Sequence, residues 1–166
     1  MLYGHRIRTI TKFHNLYKYP RNYIKYKMED RITYKVLGES SHEEDFVKEN
    51  VISNDNNEWK SKRGIGLPAW ISFDLLAEAK IKSVHLRILD GCNTAPKDMV
   101  IYSSSEENNW KELTKATRPN NVDWFEASLN TTARFIKIEF LNNQNLTANQ
   151  LWSTYTYVYE IFFTKL

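Results

Sequence analysis

Between residues 71 and 75 apolar and polar side chains alternate strictly: Ile71, Phe73 and Leu75 fall on one face of an extended chain, Ser72 and Asp74 on the other. The pattern recurs in Val84, Leu86 and Ile88 against Ser83, His85 and Arg87, and in Ile136, Ile138 and Phe140 against Lys137 and Glu139. A period of two is the spacing of a strand with one buried face; a helix brings side chains to the same face about every 3.6 residues. The alternation predicts strands at 31–37, 69–75, 80–89, 98–103, 123–129, 133–141 and 154–164, with Ile71, Val84, Ile136 and their in-phase neighbours as core and His85 as a sheet-surface residue.

Turn-forming clusters of Asn, Ser, Gly and Pro separate these runs, at 53–57, 64–68, 91–96, 103–109, 118–121 and 142–149. Short strands between such clusters, without intervening helices, define an all-β sandwich and not an alternating α/β fold. Eight Phe, ten Tyr and five Trp against five Gly support it, because aromatic side chains suit a pleated, half-buried surface. A chain of 166 residues fits one domain. The stretch 41–50 (SHEEDFVKEN) is expected to form a helical turn, capped by Ser41 with Glu44 three residues on.

Charge divides the chain. Residues 1–28 hold Arg6, Arg8, Lys12, Lys18, Arg21, Lys25 and Lys27 and no acid, so the net +3 is +7 in this arm and −4 in the rest, 29–166. Five tyrosines interleave with the arm's cations. Such a segment suits an acidic protein surface or a phosphate backbone, and organelle-targeting sequences are also basic and acid-poor. Docking on a larger assembly leads among these readings, and nucleic acid, if bound, is met through the arm alone.

No run reaches the roughly 18 apolar residues of a membrane span, and the first residues lack the apolar core of a secretory signal. A single cysteine, Cys92, cannot form an internal disulfide. An intracellular, non-secreted setting is therefore expected.

In order along the chain, Asn50-Val51-Ile52, Glu58-Trp59-Lys60-Ser61, PAWISFDL at 68–75, PKDMVIYS at 96–103, NWKEL at 109–113, ARFIKI at 133–138 and Tyr159-Glu160-Ile161 resemble the discoidin, or coagulation factor 5/8 type C, domain. The resemblance spans 33–165 and implies a jelly-roll β-sandwich of about eight antiparallel strands in the galactose-binding-like superfamily, with glycans, lipid head groups or protein motifs bound by loops at one end. It also implies that Trp59 is chiefly a core residue. The stretch 135–145 (FIKIEFLNNQN) and the Asp123-Trp124 turn are similar to an intracellular branch, the substrate-recognition domain of the anaphase-promoting ubiquitin ligase.

Departures from the pattern matter. Several glycan-binding members hold a structural calcium with an Asp-Gly loop just after the Asn50-Val51-Ile52 match; here 53–58 reads SNDNNE, one residue shorter, with Ser53 in place of that Asp. Calcium wants about six to eight oxygen ligands. Asp55 and Glu160 remain as weak calcium candidates, and no cofactor is expected.

The residues do not favour catalysis. His42-Glu43-Glu44-Asp45 is the densest titratable cluster but lacks the second His of a zinc helix, and Cys92 has no His near it in sequence except His85. Gly64-Ile65-Gly66-Leu67-Pro68 lacks the third Gly and the Lys of a phosphate loop. It is expected instead to form an exposed tip with Ile65 and Leu67 apolar and Lys62 and Arg63 as a basic rim. Asn93, Arg118, Asn143 and Trp152 lie in the other loops, with amides that suit sugar hydroxyls or peptide backbones.

The expected function is a non-catalytic recognition module that takes a protein partner on these loops within an intracellular assembly. The alternatives are a carbohydrate-binding, lectin-like module using the same loops, and a structural subunit of an organelle complex docked by the basic arm.

Overall fold

The computed structural model describes residues 30–52, 56–88, 92–120, 122–145 and 150–166. Eight strands follow in chain order: β1 (Lys35–Glu39), β2 (Trp59–Lys60), β3 (Ala69–Arg87), β4 (Asp98–Ser104), β5 (Lys111–Thr117), β6 (Trp124–Phe140), β7 (Tyr157–Val158) and β8 (Glu160–Lys165). All pairings between them are antiparallel.

Two long strands organise the molecule. β3, of 19 residues, pairs along its length with β6, of 17, and the ladder shifts register between Asp74 and Ala79. Before the shift, β3 lies between β1 and β6, with β4 and β5 beyond; after it, β3 lies between β6 and β8. Each long strand thus serves both layers of a sandwich. The bend contains Leu76 (φ 66°) and Asn130 (φ 45°), both left-handed. Asn tolerates that region, whereas for Leu it is uncommon; the Leu76 N–H is held by the Asp74 carboxylate at 2.9 Å.

The layers close over the in-phase apolar residues. Ile71, Phe73, Val84, Leu86, Ile136, Ile138, Phe140, Ile161 and Phe163 are wholly buried in one cluster. The Phe73 ring meets Phe163 edge-on at 5.2 Å, which joins the first layer to β8 in the second. Trp59 is buried too, 5.8 Å from the Phe140 ring, and its Nε1–H donates to the Glu39 carboxylate at 2.6 Å. Burial at about 25 cal/mol per Å² of apolar surface is the main stabilising term for such a core.

Several sequence expectations are revised. The runs at 69–75 and 80–89 are one strand, as are 123–129 and 133–141, because the chain bends between them with its ladder resuming and does not reverse. β5 was not expected: it is an edge strand whose exposed Lys111, Glu112, Lys115 and Thr117 mask its alternation. The run at 154–164 divides into loop, β7 and β8. The capped helical turn at 41–50 is replaced by a 3-10 helix at Lys48–Ile52, since the Ser41 hydroxyl accepts from the Lys62 N–H at 3.2 Å.

His85 points away from the core as the alternation predicts but is wholly buried, stacked on Phe162 at 4.5 Å with Nε2 hydrogen-bonded to the Ser83 hydroxyl at 2.9 Å. Asp74 is likewise buried, in a two-pronged pair with Arg134 at 2.9 and 3.1 Å. No helix among the described residues is long and apolar enough to cross a membrane.

Candidate functional site

Four connections gather at one end of the sandwich: those between β2 and β3, β3 and β4, β5 and β6, and β6 and β7. Hydrogen bonds knit them. The Ser61 N–H donates to the Thr156 carbonyl and the Thr156 N–H to the Ser61 hydroxyl, each at 3.0 Å. The Gly64 N–H donates to the Thr154 hydroxyl at 2.9 Å, and the Thr156 hydroxyl to the Thr94 carbonyl at 3.0 Å. The Gln144 N–H reaches the Ala95 carbonyl at 2.9 Å, and its side-chain amide the Arg118 carbonyl at 3.1 Å. These bonds between loops tie the described residues of this end to one another on a two-layer base, which suits a platform for recognition.

On that platform Trp152 is 52% exposed and Ile65 65% exposed. Lys62, Arg63 and Asn93 are exposed beside them. Leu67, expected as the second exposed apolar residue of the tip, is instead half-buried because its side chain packs back against the core. Gly64 and Gly66 carry φ of 80° and 99°, so the tip that presents Ile65 turns through a region that favours glycine.

Tyr155, which sequence reasoning did not single out, ties two of these groups together. Its buried ring lies 6.2 Å from Trp152 and 5.7 Å from the Arg63 guanidinium. Burial raises its hydroxyl above the ordinary tyrosine range, so it stays protonated as a donor. The only sequence signal was its place in the alternating tyrosines 155, 157 and 159, which read as strand.

The Arg63 backbone N–H donates to Glu43 at 2.6 Å, and its guanidinium Nε lies 3.5 Å from the same carboxylate. The N–H bond, ahead of the guanidinium's charge, holds Glu43 below the usual carboxylate range. At Cys92, burial acts to raise the thiol, but hydrogen bonds with Thr94 and Tyr157 and the charge of Lys60 outweigh it and leave the thiol below its ordinary value. The Cys92 sulfur lies 3.0 Å from the Thr94 hydroxyl.

Three expected site residues serve the fold instead. Arg118 is 2% exposed: its N–H donates to the Lys97 carbonyl at 2.8 Å and its guanidinium to the Val122 carbonyl, so it braces the loop between β5 and β6. Asn143 is 5% exposed, and its amide donates to the carbonyls of Trp152 and Tyr155 at 2.7 and 2.8 Å. A ligand cannot compete for an amide already saturated inside the loop. Glu160, the calcium candidate on β8, is buried with Arg31 at 2.8 Å and Arg87 at 3.8 Å, so its charge is neutralised by cations. Asp55 and the seven arm cations (Arg6 to Lys27) lie outside the described residues. Among the described residues no three His, Cys, Asp or Glu side chains come together as a metal site.

A two-layer β-sandwich with a knitted loop end carrying an exposed aromatic, cations and amides is the architecture of a binding module. The sequence matches the family model of the F5/8 type C domain over residues 36–155, and the chain belongs to that family, whose domains are non-catalytic binding modules.

Solved structures share the fold. A family 32 carbohydrate-binding module (CBM32) from a family 31 glycoside hydrolase of Clostridium perfringens superposes with a TM-score of 0.72 at 19% identity, over 85% of this chain and 100% of that one. The family 32 module of Clostridium perfringens NanJ, in complex with galactose, gives 0.68 at 16% identity over 81% and 97%. The CBM32 of AlyQ, in complex with 4,5-unsaturated mannuronic acid, gives 0.63 at 19% over 82% and 97%. No curated protein matches the chain.

Proposed function

We propose that this chain is a carbohydrate-binding module whose loop end takes a sugar against Trp152. The observation that carries the reading is the Trp152 indole, half-exposed at the tip of the loop between β6 and β7, with its backbone fixed by Asn143. A flat apolar ring with a polar edge suits a sugar, which offers C–H groups on one face and hydroxyls around its rim. Asn93 and the Arg63 guanidinium are donors on the same surface. The galactose and unsaturated mannuronic acid bound by the NanJ and AlyQ modules support a sugar as ligand.

A glycan array probed with the intact chain, with and without calcium, tests this reading. Binding is expected in both conditions. Trp152→Ala is expected to weaken it by about tenfold or more, roughly 1.4 kcal/mol, at an unchanged melting temperature. Silence across the array overturns the reading.

The second reading, a protein ligand on the same end, is favoured by Ile65 and Leu151, which are 65% and 53% exposed and offer more apolar surface than a sugar uses. Under it, changing Ile65 and Leu151 together to Ser weakens partner capture while glycan binding stays absent.

A further inference from the structure

Resting on the carbohydrate reading, we infer that the preferred ligand is an acidic glycan, one whose sugar carries a carboxylate, with Arg63 as the residue that selects it. Outside the arm the chain is acidic, with a net charge of −4. Its loop end is the reverse. The four connections gathered there carry Lys62, Arg63, Lys97 and Arg118 against Asp90 and Asp123, a net charge of +2, with Glu43 beside Arg63. A cationic end on an anionic body draws anions to that end and turns the remainder away.

The detailed placement of Arg63 sharpens this. The carboxylate nearest to it, Glu43, is held by the Arg63 backbone N–H at 2.6 Å and faces the guanidinium through Nε, at 3.5 Å. No acceptor among the described residues engages the two Nη groups, and the Arg63 side chain is 46% exposed. The guanidinium therefore keeps one edge of paired donors for a ligand, and two parallel N–H groups match the two oxygens of a carboxylate.

Its other constraint is the Tyr155 ring beneath it, which is also the ring that Trp152 leans on. The stacking surface and the free guanidinium edge are thus fixed to one side chain. With Trp152 6.2 Å and the Arg63 guanidinium 5.7 Å from the one Tyr155 ring, an acidic oligosaccharide stacked on Trp152 has a cation on the same rim to meet its carboxylates, and Lys62 is the next residue in sequence. A neutral sugar on the same indole leaves those donors to water.

The test is calorimetric titration of the intact chain with tetra-galacturonate, tetra-mannuronate and tetra-glucuronate, each as the free acid and as its methyl ester, which keeps the ring and removes the charge. At least one free acid is expected to bind about tenfold tighter than its ester, and to lose that margin as salt rises from about 0.05 to 0.5 M. Arg63→Gln is expected to bring the acid down to the level of the ester, while Trp152→Ala weakens both. Equal binding of acid and ester, or acid binding untouched by Arg63→Gln, overturns the inference. So does binding of neutral array glycans with none of the acids bound, which leaves the carbohydrate reading standing; silence toward every glycan removes both.

Discussion

The side-chain amide of Asn143 donates to the backbone carbonyl of Trp152 at 2.7 Å, from nine residues away and from inside the fold. With the second bond to Tyr155 at 2.8 Å, it turns the loop between β6 and β7 into a fixed mount for the indole. Asn143→Ala leaves those carbonyls without a donor in a buried place, at a cost of about 2–3 kcal/mol. The expected result is a melting temperature lower by about 5–10 °C and faster amide exchange confined to 150–156. An unchanged exchange pattern removes Asn143 from this role.

Asp74 anchors the bend of β3. Its carboxylate takes two bonds from Arg134 and one from the Leu76 N–H, and the Arg134 bonds first, with that N–H and the charge of Lys35, hold it below the usual aspartate range against the opposing effect of burial. A depressed folded pKa stabilises the fold above the ordinary value near 3.9, and the contribution is lost as pH falls below it. Asp74→Asn is expected to cost about 1.5–3 kcal/mol at neutral pH and to melt with less dependence on acid than the wild type. Denaturant melts of both proteins at pH 7 and pH 3 check this.

His85 is expected to destabilise the domain at mildly acid pH. Burial pushes its pKa down to about 4, against the opposing charge of Glu126 and with the help of Arg31 and Lys82. Above the ordinary value of 6.5 both folded and unfolded chains carry it neutral. As pH falls from 6.5 toward 4 the unfolded chain takes up a proton that the fold refuses, so stability declines through that window. Urea melts at pH 7.5 and 5 should show the decline, and His85→Gln should flatten it. A wild-type midpoint that does not move between those pH values contradicts the buried, neutral imidazole.

Glu160 is placed as a structural anion. Glu160→Gln weakens the hold on Arg31 and Arg87 and is expected to cost about 3 kcal/mol. Calcium or a chelator should leave the melting temperatures of wild type and variant where they were. A rise on adding calcium in the wild type alone returns Glu160 to the role of metal ligand.

The sandwich was legible in the sequence because each core strand buries one face, and Ile71, Phe73, Ile136 and Ile138 write that face as a period of two. The same rule misled at His85 and Asp74. It sends the out-of-phase residue to solvent, whereas a flat neighbour such as Phe162 or a long one such as Arg134 can cover it. At the loop end, residue type was a fair guide to Trp152, Arg63 and Asn93 as exposed groups. It failed for Arg118 and Asn143, whose polar atoms are taken by backbone carbonyls of their own loops. Local sequence shows that a side chain can donate a hydrogen bond; which acceptor lies in reach is decided by how distant loops meet. Tyr155 escaped notice for that reason too, since Arg63, the cation over its ring, comes from a loop 92 residues away in sequence.

The bridge between Arg31 and Thr164, near the first and last residues of the sandwich domain, has a mechanical consequence. Tension passed along the backbone enters and leaves at one pole, peeling β8 from the edge of its sheet, while the opposite pole carries no load. A tether attached at either end can therefore drag, swing or hold the domain under strain without distorting the surface around Trp152, and a grip made there can persist until the anchoring pole itself gives way.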